Sequence, residues 1–180
     1  MFNDVHIPMT IPQDETLTGY LSDVASRDFT AVKIIDARED RTRIGFRRNG
    51  FGQETADILS DEPVEIVVQR AVETMLANNG HKLADSGIQV TGAISAFWIE
   101  QDWNYYDTEF IARIECELVF SIQHDELYRN AYSGSYNHRS FHAVSAKPWR
   151  IAMNGALTSL AEDIAYDTGL ATALSQRTAG

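Results

Sequence analysis

Apolar residues occupy every second position across most of residues 108–124, and the positions between them are mostly polar. The apolar members all point to one side: Phe110, Ala112, Ile114, Cys116, Leu118, Phe120 and Ile122. Because successive side chains of a strand face opposite sides of a sheet, this pattern predicts an antiparallel strand with one face in the core and one in water. Two more strands are predicted beside it, at 88–100 and at 128–137, the latter as its hairpin partner.

Two segments show helical spacing instead. Apolar residues recur every three or four positions from Val64 to Leu76, Pro63 suits the first helical position, and Gly80 suits the end. A second helix is predicted from Ser145 or Lys147, with an apolar stripe that reaches residue 164. The polar stretch 167–169 interrupts this pattern, and residues 170–174 are expected to add a last turn.

The first third of the chain is less regular. Residues 29–36 form a run rich in branched side chains, which predicts a strand. Residues 1–28 are predicted to form an extended N-terminal arm, and residues 29–176 are predicted to form one domain. The predicted order is β-α-β-β-β-α. It indicates a single α+β domain, an antiparallel sheet with two helices packed on one face.

Charge narrows the range of partners. The chain has 15 Lys and Arg against 26 Asp and Glu, a formal net charge of −11. Such a balance opposes binding to nucleic acid or to an anionic membrane surface. No stretch approaches the roughly 18 apolar residues of a membrane helix. The single cysteine, Cys116, falls on the apolar side of its strand, so we expect a small buried hydrophobe and no reactive thiol.

Five arginines interrupt this acidic chain within residues 38–48, here called the arginine segment: Arg38, Arg41, Arg43, Arg47 and Arg48. Guanidinium groups bind carboxylates and phosphates through paired hydrogen bonds, so the segment predicts an anionic partner, which the net charge makes an acidic protein surface. The alternative is a solvated loop whose arginines pair with local carboxylates: Asp36, Glu39, Asp40, Glu54 and Asp57.

Aromatic residues form a second candidate surface, at the tip of the predicted hairpin between 88–100 and 108–124. Trp103, Tyr105 and Tyr106 lie there, and exposed aromatic residues are typical anchors of protein interfaces. The alternative is that these rings cover the edge of the sheet. The predicted partner-binding residues are therefore these three together with the arginine segment.

No catalytic residue, cofactor or metal site is predicted. His138 and His142 have the four-residue spacing of two zinc ligands on a helix, but they fall at a strand end and have no acidic third ligand at matching spacing. The polar strand 128–137 leaves a sheet edge that is available for pairing, so a homo-oligomer is one expected arrangement.

Short motifs along the chain resemble the YajG-type lipoprotein family. Residues 32–38, which contain Asp36-Ala37-Arg38, resemble its strand and Asp-x-Arg signature, followed by Ile44-Gly45. A helix ending at Asn79-Gly80, three strands, and Tyr132-Ser133-Gly134 before a final helix are also similar. So is the ending Asp167-x-x-Leu170-x-x-Ala173-Leu174. The resemblance covers residues 5–175, and its signature gives Arg38 a structural role beside Asp36.

The resemblance implies a non-enzymatic protein of the Gram-negative cell envelope, located in the periplasm and associated with the outer membrane. We expect it to act by contacts with envelope proteins, as an accessory component of a larger assembly. Membrane contact would come only from a lipid anchor that this chain lacks, and a native start at Met1 would instead imply the cytoplasm. Two alternative functions are a carrier of an amphipathic envelope lipid or glycan and a small metal-dependent hydrolase.

Overall fold

The computed structural model describes residues 4–10, 17–30, 32–103, 106–141 and 145–176. The helices are α1 (Val64–Asn78), α2 (Lys147–Ala165) and α3 (Thr168–Gln176). The strands are β1 (Val5–Ile7), β2 (Asp28–Phe29), β3 (Lys33–Asp36), β4 (Gly45–Arg48), β5 (Glu54–Ser60), β6 (Lys82–Leu83), β7 (Gln89–Trp103), β8 (Thr108–Ile122) and β9 (Asp125–Ser140).

The main sheet is mixed, so the prediction of an antiparallel sheet is wrong. Its order is β1-β5-β4-β7-β8-β9. β3 pairs with the same edge of β7 as β4 does, but nearer the start of β7, at residues 91–94. The pairs β4–β5, β7–β8 and β8–β9 are antiparallel, whereas β1–β5, β3–β7 and β4–β7 are parallel. Alternation along a strand specifies which side chains are buried but not the direction of a partner brought in from a distant part of the chain.

The element count also differs from the prediction. Three helices are present among the described residues, because the chain turns at Asp167 and starts a separate helix, α3, where one last turn was expected. Within the residues that the structure describes, four strands (β2 to β5) precede α1 where one was predicted, and β1 lies in the predicted N-terminal arm. The α+β class and the three long strands after α1 are confirmed.

The core lies between the apolar face of the sheet and the helices. Phe110, Ile114 and Leu118 of β8 are fully buried, as the alternation predicted. Helices α1 and α2 contact each other, and α2 lies against β8 and β9. Cys116 is buried here as expected, and burial together with the nearby Asp163 charge raises the pKa of its thiol to about 12.

The N-terminal residues contribute to this core. Strand β1 adds to the sheet edge beside β5, and Ile7 is fully buried there. Leu21, in a 3₁₀ turn at Tyr20–Asp23, is fully buried too. The boundary between a 1–28 arm and a 29–176 domain stays a prediction. None of the described helices is long and apolar enough to cross a bilayer.

A buried histidine, His81, lies between α1 and β6. His81 is 4% exposed, and its Nδ1 accepts a hydrogen bond from the backbone N–H of Arg27 at 3.2 Å. Burial lowers the pKa of this imidazole, and the charge of Arg27 adds to the effect. Protonation would also remove the lone pair that Nδ1 uses to accept the Arg27 hydrogen bond.

We expect the unfolding free energy to fall as the pH drops below about 6.5, the ordinary pKa at which His81 takes up a proton in the unfolded chain. The folded state resists that proton, so stability is complete above this value and is lost below it, by at most about 1.4 kcal/mol per pH unit. Urea unfolding between pH 8 and 5 measures the slope. His81→Asn should flatten it, whereas His124→Asn, at an exposed turn position, should not. Equal slopes in all three proteins would contradict this role.

Candidate functional site

The hairpin between β4 and β5 presents an aromatic ring to solvent. Asn49 shapes its turn, because the side-chain oxygen accepts hydrogen bonds from the N–H groups of Phe51 and Gln53, both at 3.0 Å. Gly52 follows with a backbone φ of +79°, a conformation that suits glycine. This geometry leaves Phe51 93% exposed.

Strand register brings further aromatic residues to the same end of the sheet. Gly45 pairs with Ile99 in parallel, so β4 and β7 run to the same end. The indole N–H of Trp103 donates to the Arg48 carbonyl at 3.2 Å and joins β7 to the hairpin. Thr108 pairs with both Trp103 and Ser140, so the end of β7, the start of β8 and the end of β9 lie side by side.

Four exposed aromatic side chains consequently share this end, which we call the aromatic end: Phe51, Trp103, Tyr106 and Phe141. Their exposed fractions are 93%, 42%, 83% and 80%. They come from three separate segments: the turn between β4 and β5, the hairpin between β7 and β8, and the end of β9. The sequence predicted that Trp103 and Tyr106 lie together, but not that Phe51 and Phe141 join them.

Two of the predicted arginines lie at the aromatic end. Arg47 and Arg48 are the last residues of β4, directly before the Phe51 turn. The Arg48 guanidinium lies over the ring of Phe46 at 4.7 Å from the centroid. This cation–π contact orients the side chain while its residue stays exposed.

Arg38, in contrast, is an internal residue and only 7% exposed. Its Nε and Nη2 donate to the two carboxylate oxygens of Asp36 at 2.9 and 2.8 Å, so the predicted pairing is confirmed. Its Nη1 donates to the carbonyls of Arg43 and Phe97. Burial opposes ionisation of Asp36, but the hydrogen bonds from Arg38 outweigh it and lower the pKa of that carboxyl.

Arg43 is held by local carboxylates, as the alternative interpretation of the arginine segment predicted. Its guanidinium pairs with Asp40, Glu54 and Asp57 at 3.0–3.2 Å. It also lies 5.2 Å from the centroid of the Phe46 ring. Hydrogen bonds to Asp57 and Glu54 raise its pKa, so it stays charged.

Arg41 faces a different region, a cleft of about 690 Å³ between the arginine segment and the start of α1. Its Nε donates to the Arg38 carbonyl at 3.2 Å. Charged groups of both signs line the cleft, among them Arg41, Asp61 and Glu65. Such a lining does not suit the apolar part of an amphipathic lipid.

The predicted site residues therefore separate into two groups. The structure brings Arg47, Arg48, Trp103 and Tyr106 together; Tyr105 lies outside the described residues. Arg38, Arg41 and Arg43 lie elsewhere. Sequence reasoning missed Phe51 and Phe141 as members of the aromatic end, and an aromatic residue inside the Asn-Gly-Phe-Gly turn was the one available signal.

The histidine pair shows no metal geometry in the described part of the chain. His138 is partly buried near the end of β9, and His142 lies outside the described residues. Within 4–10, 17–30, 32–103, 106–141 and 145–176, no three His, Cys, Asp or Glu side chains are grouped closely enough to hold a metal ion.

Known structures share this fold at low sequence identity. A Xanthomonas campestris protein of the DUF330 family is 12% identical with a TM-score of 0.62, covering 98% of this chain and 99% of that one. An uncharacterised protein is 9% identical with a TM-score of 0.50, covering 91% and 97%. A minor lipoprotein from Acinetobacter baumannii is 9% identical at a TM-score of 0.43, covering 86% and 94%. The first two show a common fold and no more.

Sequence comparison identifies a family. The model of a family described as uncharacterized lipoprotein matches residues 21–175, which is most of the chain. No curated protein matches significantly in sequence.

Proposed function

Since this chain belongs to that uncharacterised lipoprotein family of the cell envelope, we propose that it is a non-enzymatic component that binds another envelope protein through its aromatic end. Within the family we assign it to the YajG type, on the Asp36-Ala37-Arg38 signature and the Asp167-x-x-Leu170 ending. Its proposed location is the periplasm at the outer membrane, as an accessory part of a larger assembly.

The observation that carries this proposal is the convergence of exposed aromatic rings with two arginines. Aromatic residues and arginine are enriched among the residues that contribute most to protein–protein affinity. Phe51, Tyr106 and Phe141 each keep at least 80% of their surface exposed. Large apolar rings grouped on a soluble surface mark an interaction site more often than isolated ones do.

The partner that fits best carries acidic groups around an apolar centre. Arg47 and Arg48 supply positive charge beside the rings, whereas the net charge of −11 keeps the rest of the protein repulsive toward anions. No observation on the described residues favours an amphipathic carrier or a metal-dependent hydrolase over this contact role.

Neutralising Arg47 and Arg48 together, as Arg47→Gln/Arg48→Gln, should weaken capture of the partner from envelope extract by about tenfold or more, equivalent to about 1.4 kcal/mol. Phe51→Ser/Tyr106→Ser should have a similar effect, because it removes the apolar contacts. Capture by the native protein should fall as salt is raised. Thermal melting should change little in both variants, since Arg48, Phe51 and Tyr106 are exposed and Arg47 is partly exposed.

Arg113→Gln/Arg129→Gln is the matched control. It removes the same charge from exposed arginines on the outer face of β8 and β9, so it should leave capture unchanged. Undiminished capture by both aromatic-end variants would refute the proposed function, and so would an equal loss in the control.

A further inference from the structure

The outer edge of β9 is the second unusual surface of this protein. β9 is a strand of 16 residues, and among the described residues it pairs with β8 alone. In an antiparallel pair, alternate residues turn their N–H and C=O groups away from the neighbouring strand. A long free edge of this kind is a template for another strand, and proteins usually block it.

Hydrogen bonds block the middle of this edge. The backbone N–H of Ser133 donates to the Asp163 carboxylate of α2 at 2.9 Å, and that of Ala131 donates to the Asn130 side chain at 3.0 Å. These bonds identify the odd-numbered residues as the ones that face the free edge. Farther along, Ser135, Asn137 and Arg139 continue the same odd-numbered register without a bulge. In the part of the chain that the structure describes, their backbone N–H groups make no hydrogen bond outside the strand ladders.

A groove lies beside this open stretch. It has a volume of about 610 Å³ and is bounded by Ser135 and Tyr136 on β9 and by one face of α2. The helix presents mostly small or uncharged residues to it: Ile151, Asn154, Gly155, Thr158 and Ser159, with Glu162 at one end. A strand edge and a helix groove together form the arrangement by which several domains bind an extended peptide.

We propose that the β9 edge from Ser135 to Arg139 binds an extended segment of another polypeptide, which adds to the sheet as a further strand above α2. Three backbone N–H groups and the carbonyls beside them supply the hydrogen bonds. Alternate side chains of the segment enter the groove, so small or aliphatic residues fit there, with a basic residue next to Glu162. This surface is separate from the aromatic end and does not depend on the function proposed for it.

The position of α2 disfavours a second copy as the occupant. The helix packs directly under β9, because a Cβ at Gly134 would overlap the Ala156 carbonyl and a Cβ at Gly155 would overlap the Tyr136 ring. Pairing β9 with β9 of another copy would set the strands about 5 Å apart. Each copy would then bring its own α2 under the same edge, where two helices need about 8–10 Å between axes. A single segment without a helix beneath it fits.

The test uses the full chain and a phage-displayed library of random eight-residue peptides. An enriched peptide, made synthetically, is titrated into labelled protein while amide hydrogen exchange is followed by NMR. We expect exchange at Ser135, Asn137 and Arg139 to slow at least tenfold at saturation. Phe51→Ser/Tyr106→Ser should bind this peptide as well as the native protein does.

Asn137→Pro removes one edge N–H without touching the β8 pairing, since proline is tolerated on edge strands. It should weaken peptide binding at least tenfold. Ala131→Pro removes an edge N–H from the blocked stretch and should leave affinity unchanged. Thr158→Arg fills the groove from the helix side and should also abolish binding, which keeps the test decisive if the proline variant does not fold.

Three outcomes would overturn the proposal: no enriched peptide, protection confined to residues outside 135–139, or equal losses in Asn137→Pro and Ala131→Pro. If sedimentation shows a dimer that is absent in Asn137→Pro, the β9 edge binds a second copy of this chain. That result would also refute the proposal.

Discussion

Arg38→Ala should lower the free energy of unfolding by about 3–5 kcal/mol, the usual loss when one partner of a buried ion pair is removed. The Arg38 and Asp36 side chains are only 7% and 10% exposed. Without the guanidinium, the Asp36 carboxylate stays buried with its main partner missing. The carbonyls of Arg43 and Phe97 lose a donor as well. Urea titration and thermal melting at pH 7 measure this loss.

Arg41→Ala is the matched control from the same segment. Arg41 is exposed, and its Nε makes one hydrogen bond to the Arg38 carbonyl. Surface substitutions of this kind usually change stability by about 0.5 kcal/mol or less. Similar losses for Arg38→Ala and Arg41→Ala would contradict the internal role of Arg38.

A double-mutant cycle separates the ion pair from the rest of the Arg38 contacts. Asp36→Ala/Arg38→Ala should cost less than the sum of the two single substitutions, because the double variant leaves no unpaired charge buried. Strict additivity would show that the pair itself contributes nothing.

Asp167→Ala should destabilise the protein by about 3 kcal/mol, which combines a lost helix cap with a buried hydroxyl left unpaired. The Asp167 carboxylate accepts hydrogen bonds from five groups, namely Tyr128 Oη, Tyr132 Oη, Asn130 Nδ2 and the backbone N–H of Gly169 and Leu170. It therefore caps α3 and ties that helix to β9. Burial opposes its ionisation, but these donors outweigh burial and lower its pKa.

The melting temperature should fall by about 6–12 °C for such a loss in a chain of this length. Asp163→Ala is the control, since the exposed Asp163 accepts one hydrogen bond, from Ser133, and should cost about 1 kcal/mol or less. Tyr132→Phe should cost less than Asp167→Ala, because the carboxylate keeps four donors. Equal melting temperatures for Asp167→Ala and Asp163→Ala would show that the network does not stabilise the α3 junction.

The sequence predicted the elements that depend on local periodicity. α1 begins one residue after Pro63 and ends at Asn78, and β8 follows the 108–124 alternation closely. Both have long amphipathic patterns. Such a pattern identifies the buried face of an element even when the elements that pack against it are unknown. The pairing of Arg38 with Asp36 was also accessible, since the two residues are neighbours in the chain.

The sequence did not predict in this way which strands pair with each other in the sheet. β4 and β5 are short, and neither carries an alternation strong enough to identify it. β3 and β4 share one edge of β7 at different levels, an arrangement that depends on how the arginine segment turns between them. Strand direction is set by such long-range contacts and not by the periodicity of any one strand.

The candidate surfaces, too, depend partly on local sequence and partly on long-range contacts. The sequence by itself determined the α+β class, the burial of Cys116 and the concentration of arginines in one segment. Only the tertiary structure decided which arginines face outward, because the carbonyl of Phe97, 59 positions away, accepts from Arg38 and keeps it inside. It likewise brought Phe51, Trp103, Tyr106 and Phe141 to one end, since register between strands places residues that are far apart in the chain side by side.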